Sequence, residues 1–317
     1  MMPPNAGDSY LLFHSFPYDF EVDLPLNLSS DVYLDNTPQG FLDSVESALA
    51  DFVLPGYHLP GMGLKHCSLR YSCDNNNKNR FDPTYLFFSS ISALRLQSPT
   101  NLSIAGKFKI DHSGNEMDDI KLFQLDSPWS PSDYTLIYSI DDIWSASKLS
   151  NILIQEPSIG YKRLTTATIY FSQVTCGFSK SYQLAYLGLF ACLEALFVPE
   201  GSYKGKTLGR RISTFLNRFN FPFDISSWVE DEYRTGRNKY AHGVLDINPN
   251  TKIRDSRVIA FGRLHEIARL CLLGFFSLES SMLHKLDGCD KRTLQKELDN
   301  LPEPSGAYVL NQSPFCS

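Results

Sequence analysis

Around Glu156-Pro157-Ser158-Ile159-Gly160 the texture of this chain changes, and that break constrains the fold more than any single motif. Before it, short β-rich and aromatic segments recur at Tyr10–Phe13, Asp31–Leu34, Thr84–Phe88, Ala93–Leu96, Leu102–Ile110 and Tyr134–Ile140. Turn clusters such as Leu59-Pro60-Gly61 and Asp111-His112-Ser113-Gly114 separate them, as expected of strands joined by loops. Two helices are predicted among the strands. One covers Gly40–Val53, with Phe41, Val45, Leu49 and Phe52 on one stripe; the other covers Asp141–Ile154 and opens on acidic residues, as the helix dipole favours. Beyond the break the spacing of apolar residues is helical as far as Leu286. Helices are predicted near Tyr161–Cys176, Lys180–Val198, Ser202–Asn217, Ile225–His242 and Ile253–Ser280. The stripes Leu184, Leu187, Ala191, Ala195 and Leu264, Ile267, Cys271, Phe275 are expected to be core. The expectation is therefore an α+β chain: a mixed α/β, β-rich domain over 1–158, then an all-α bundle of four or five helices over 159–317.

Charge changes at the same place. Residues 1–160 carry 9 Lys/Arg against 20 Asp/Glu and residues 161–317 carry 20 against 15, so the net −6 averages −11 with +5. Such asymmetry points to different partners for the two halves. The 22 Phe, 16 Tyr and 3 Trp exclude a disordered chain, which could not bury so much apolar surface and stay unfolded. The longest uncharged stretch, between Arg163 and Lys180, is broken by Thr165, Thr166, Thr168, Ser172, Gln173 and Thr175. A membrane span needs about 20 mainly apolar residues, so no membrane partner is expected. The N-terminal MMPPNAGDSYLLFHSF lacks the basic and apolar regions of a secretory leader. Seven cysteines without a CxxC pair match a reducing, cytoplasmic setting.

Several tempting patterns fail on spacing. In Gly201-Ser-Tyr-Lys-Gly205-Lys206-Thr207 only three residues separate the glycines, where a phosphate-cradling loop needs four and a preceding strand; AYLGLFACLEALF upstream reads as helix. His58, His66, Cys67 and Cys73 match no paired metal-ligand spacing, so no metal and no cofactor are expected. No G-x-S-x-G elbow occurs, and Asp118-Asp119 and Asp141-Asp142 read as solvated carboxylates.

One segment resists a bland explanation: Glu230-Asp-Glu-Tyr-Arg-Thr-Gly-Arg237-Asn238-Lys239-Tyr240-Ala241-His242-Gly243. Gly243 reads as a helix stop, which leaves His242 at an exposed helix end, with Arg237 able to swing toward the same opening. Around it the basic residues Lys204, Lys206, Arg210, Arg211 and Arg218 run with no acid between them. Arg234, Arg237 and Lys239 follow, then Lys252, Arg254, Arg257, Arg263 and Arg269. A basic surface about an Arg/His pair is the footprint expected for a polyanion such as RNA.

Arg-Asn-Lys-Tyr-Ala-His followed by Gly resembles the Rx4–6H signature of HEPN domains. Ala191-Cys-Leu-Glu194-Ala-Leu-Phe197, followed by the stretch from Ser202, resembles the ApeA-like branch of that family, and together these cover roughly 161–286. The resemblance implies a dimerising helical bundle and, commonly, metal-independent RNA cleavage in antiviral defence or toxin systems. On that reading Arg237 and His242 are catalytic and Asn238 orients His242 or a phosphate oxygen. Glu194 supports Arg237, Tyr240 is a secondary candidate, and Lys204, Lys206, Arg210, Arg211 and Lys239 hold RNA. RNA and a second copy of the chain are then the partners, with the acidic half sensing a regulatory or phage-derived trigger or restraining the toxic half. The alternatives are a non-catalytic HEPN module that binds RNA or nucleotide or mediates assembly, and a partner of a nucleotidyl-modifying enzyme in a toxin–antitoxin pair.

Overall fold

The computed structural model describes residues 7–13, 16, 18, 21–29, 31–37, 67–72, 82–97, 102, 104–110, 117–122, 137–155, 162–175, 182–198, 204–219, 221, 223–241, 255–290 and 292–301. The chain divides into two compact units, one ending at Ile154 and one running on from Gln155. The α+β class holds: a β-sheet lies in the first unit and helices make up the second.

The first unit is built on strands β1 Ser9–Phe13, β2 Leu26–Ser29, β3 Val32–Asn36, β4 Cys67–Tyr71, β5 Ile104–Ile110 and β6 Met117–Leu122. Their order in the sheet is β2-β3-β4-β1-β5-β6, and every pair is antiparallel. β1 runs centrally, Tyr10 lying opposite Arg70 on one side and Phe108 on the other. The Tyr10 and Phe108 rings stack 4.8 Å apart. Arg70 is buried there between two carboxylates, its Nε 3.0 Å from Asp35 and its Nη1 3.7 Å from Asp8. A buried charge needs such partners.

Helix α1, Pro83–Gln97, packs against β2, β3 and β4. This corrects the strands expected at Thr84–Phe88 and Ala93–Leu96. The Asp82 carboxylate accepts the Thr84 amide at 2.7 Å and its carbonyl accepts the amides of Tyr85 and Leu86. Pro83 follows at the first helical position, where its missing N–H costs nothing. This local start signal outweighs the β-rich composition. Helix α2, Ile140–Gln155, is tied to α1 by the Ser90–Ser150 hydroxyl pair at 3.1 Å and by Tyr85, whose hydroxyl donates to the Leu153 carbonyl. Strands β2, β4 and β6 were not among the expected segments, and the predicted helix at 40–53 lies outside the described residues.

The second unit contains α3 Lys162–Thr175, α4 Tyr182–Phe197, α5 Lys204–Asn217 and α6 Ser226–Glu232. A π-helical turn over Tyr233–Arg237 leads from α6 into α7, Asn238–Ala241. Helices α8 Asp255–Phe276, α9 Ser280–Asp287 and α10 Thr293–Asp299 follow. Leu264, Ile267, Cys271 and Phe275 are fully buried, as expected. The stripe Leu184, Leu187, Ala191, Ala195 is not core: Leu184 is 63% exposed and the other three are half-buried. Helix α4 buries Ala185, Leu189, Cys192, Leu193 and Leu196 instead. Almost every residue of α4 is apolar, so spacing alone leaves its buried face undetermined. Among the described residues no helix is long and apolar enough to cross a membrane.

Helix α6 lies against α5 at a backbone-to-backbone approach that only glycine permits. A Cβ on Gly209 would sit 3.2 Å from the Ser226 carbonyl carbon and closer still to its oxygen. Asp224 joins the two helices, its Oδ1 accepting the Ser226 amide at 2.9 Å and the Ser213 hydroxyl at 3.0 Å. The helix that leads into the π turn is thereby anchored on α5 at its start.

Candidate functional site

The π turn inserts one extra residue into the helical ladder, and the Asn238 amide donates to the Tyr233 carbonyl five residues back. Such widened turns are rare and cluster at functional sites. Here the cause is visible in the packing. Glu232 is buried and accepts a hydrogen bond from the Tyr186 hydroxyl of α4. The next residue, Tyr233, donates its own hydroxyl to Glu194 Oε1 of α4 at 2.9 Å. Gly236 closes over the first pair, where a Cβ would lie 2.5 Å from the Tyr186 hydroxyl. Consecutive residues thus grip positions 186 and 194, two helical turns apart on α4.

Glu194 is the hub. Its Oε1 also faces Arg237 Nη2 at 3.3 Å, and its Oε2 pairs with Lys204 Nζ at 3.0 Å. Tyr233, Arg237 and Lys204 come from the π turn and the first turn of α5, so one carboxylate joins three elements. The Arg237 guanidinium lies over the Tyr233 ring, 5.1 Å from its centroid, within cation–π range. Its Nη1 reaches Asn238 Oδ1 at 3.5 Å, the outer limit of a hydrogen bond. The Arg237 side chain remains 26% exposed. Burial, then the charge of Glu194, pushes the Tyr233 hydroxyl well above its ordinary value, which keeps it protonated and a donor.

The expected site residues divide into those this cluster gathers and those it does not. Glu194, Arg237, Asn238 and Lys204 meet directly. Tyr240 packs edge-on against the Tyr186 ring, with centroids 5.2 Å apart. Lys206, Arg210 and Lys239 are exposed. Arg211 corrects the expectation of a surface RNA contact: it is 2% exposed, and its Nη1 donates to the Phe197 carbonyl at 2.6 Å. Desolvation lowers its affinity for the proton, the opposite of an exposed phosphate-binding arginine. His242 lies outside the described residues, next to Ala241 where α7 ends.

The basic run loses Arg269 in the same way, while Arg218, Arg234 and Arg263 stay at least partly exposed and make contacts of their own. Arg269 is buried in a two-pronged pair with Glu266 at 2.6 and 2.9 Å. Arg263 lies over the Trp228 ring, Arg234 pairs with Asp231 at 2.8 Å, and Arg218 donates to the Asp299 carbonyl. Lys252 and Arg254 lie outside the described residues, as do His58, His66 and Cys73. Cys67 is buried in β4, and among the described residues no group of three His, Cys, Asp or Glu could hold a metal ion. No known protein family, curated protein or solved structure matches the chain.

Tyr233 is the residue that the sequence reading missed, although a signal was present. It stands four residues before Arg237, the spacing at which helical side chains meet. Gly236, a glycine inside a helical run, marks the close approach.

Proposed function

We propose that this chain is a metal-independent endoribonuclease of the HEPN type. The observation that carries the reading is the Arg237 guanidinium, held by Glu194 and Tyr233 yet open to solvent, on the segment that runs into His242. In the reaction a base takes the proton of an RNA 2′-hydroxyl and its oxygen attacks the neighbouring phosphorus. The bond to the 5′-oxygen breaks and that oxygen receives a proton, leaving a 2′,3′-cyclic phosphate and a 5′-hydroxyl. Histidine suits both proton transfers near neutrality, which makes His242 the acid/base group. Arg237 supplies a forked donor to the phosphoryl oxygens as charge develops on them. Lys206, Arg210 and Lys239 hold the RNA backbone, and Asn238 holds Arg237.

Two proton transfers call for two histidines. His265 is buried on α8 with its ring 5.0 Å from Phe171, and His284 is exposed on α9, so neither lies on the segment that carries Arg237. A second copy related by a two-fold axis brings a second His242. The reading therefore includes a homodimer, a cytoplasmic defence or toxin effector, and a trigger-sensing role for the first unit.

The test is cleavage of single-stranded RNA with a chelator present. The protein should leave cyclic phosphate ends and spare DNA, which lacks the 2′-hydroxyl. Activity that survives both Arg237→Ala and His242→Ala would sink the assignment. A second reading is a non-catalytic module binding RNA or nucleotide, and it draws support from the engagement of Arg237 by Glu194, Tyr233 and Asn238. It predicts salt-sensitive RNA binding without turnover, and no effect of His242→Ala on that binding.

A further inference from the structure

Tyr233 touches both Glu194 and Arg237 yet is itself only 6% exposed. Its ring meets Phe190 edge-on, with centroids 5.4 Å apart and planes at 87°. On the α5 side Gly205 lies close enough that a Cβ there would be 3.5 Å from Tyr233 Cδ1. The remaining face carries the Arg237 guanidinium, and the hydroxyl ends on Glu194 Oε1. Helices α4 and α5 thus immobilise the ring, and the ring and Glu194 together leave Arg237 few orientations.

We infer that Tyr233 is the positioning residue for Arg237: its ring sets the plane of the guanidinium while its hydroxyl holds the Glu194 carboxylate in place for the ion pair. The inference rests on the proposed catalytic use of Arg237 but concerns a property of the guanidinium that can be read without any substrate. An arginine on a mobile stem loses most of its advantage over lysine, because the fork must be aligned before phosphate arrives. Lys204 on Oε2 completes the arrangement by keeping the carboxylate from turning away. The π turn is part of the device, since Tyr233 and Arg237 are its first and last residues.

The test uses the full-length protein with Tyr233→Phe and Tyr233→Leu. The first readout is the side-chain 15N–1H signal of Arg237, assigned by its loss in Arg237→Lys. In the wild type the guanidinium protons should exchange slowly. Tyr233→Phe should speed their exchange by about tenfold through loss of the hydroxyl's hold on Glu194, a change equal to about 1.4 kcal/mol. Tyr233→Leu should abolish the slow signal, and if that variant does not fold, Tyr233→Phe decides alone. The second readout is RNA cleavage. Tyr233→Phe should lower kcat by about tenfold and leave KM within about twofold, because RNA retains its other cationic contacts. An unchanged Arg237 signal in Tyr233→Phe overturns the positioning role whatever the enzyme does. A changed Arg237 signal in Tyr233→Phe, together with a wild-type protein that cuts no RNA, supports positioning and rejects the nuclease reading.

Discussion

Replacing Gly236 by alanine tests whether the π turn is held by its contacts with α4 or only by helical preference. An added Cβ would lie 2.5 Å from the Tyr186 hydroxyl, 3.1 Å from Tyr186 Cζ and closer still to Glu232 Oε1. Both partners belong to one buried hydrogen bond, so relieving the clash means separating them. A hydrogen bond to a charged group contributes about 1.5–3 kcal/mol and overpacking costs about 1–3 kcal/mol. Alanine returns about 1 kcal/mol of helix propensity, so the net loss should be about 1.5–5 kcal/mol. Urea unfolding followed by far-UV circular dichroism reads the loss as a lower midpoint at unchanged slope. Tyr186→Phe removes the same bond by another route. The double variant should therefore lose less than the two single losses added together. A Gly236→Ala protein as stable as the wild type, or more stable, would refute this account of the π turn. Strict additivity with Tyr186→Phe would refute the shared cause.

Three further variants test other contacts of α5 and α6. Arg210→Ala should leave stability unchanged while lowering the salt slope of RNA binding by about one, as loss of a single phosphate contact does. Arg211→Ala, one residue along, should do the reverse, losing about 1–3 kcal/mol of stability through the orphaned Phe197 carbonyl and leaving the salt slope intact. Thermal melts and fluorescence titrations at several salt concentrations separate the two, and equal behaviour would contradict the assigned burial. The hydrogen bond from the Ser226 amide, then that from Ser213, holds the Asp224 carboxyl below its ordinary value. A folded-state value below the unfolded one contributes stability above about pH 4, and this is lost as pH falls through the folded value. Melting temperature against pH should therefore fall less steeply from pH 6 to 2 in Asp224→Ala than in the wild type, and parallel curves would count against the linkage.

Much of the helical unit was legible because its signals are local. The starts and ends of α3 to α8 follow from apolar periodicity and breaking residues, and the observed helices fall within the predicted spans to within a few residues. Helix α1 shows such a signal being overlooked: Asp82-Pro83 marks its start, but Tyr85, Phe87 and Phe88 resemble a strand by composition. The sheet was less legible: β4 is held between β3 and β1, the latter distant in sequence, while the edge strands β2 and β6 each pair with one strand only, their chain neighbours β3 and β5. In the site, the presence of Glu194, Arg237 and Asn238 could be noted from the chain, whereas the meeting of Glu194 with Tyr233 and Lys204 could not.

What the sequence by itself determined is therefore the helical spans that hold α2 to α8, the change of texture near residue 156, and the arginine-to-histidine segment that ends at His242. Tertiary structure alone decided which side chains face outward. Arg210 and Arg211 are adjacent and chemically alike, yet one is exposed and the other lies buried against the Phe197 carbonyl. Leu184 and Leu189 are both leucines of one apolar helix, and only Leu189 is in the core. A residue's type states what it can bond to, but its neighbours in space set whether water or protein supplies the partner.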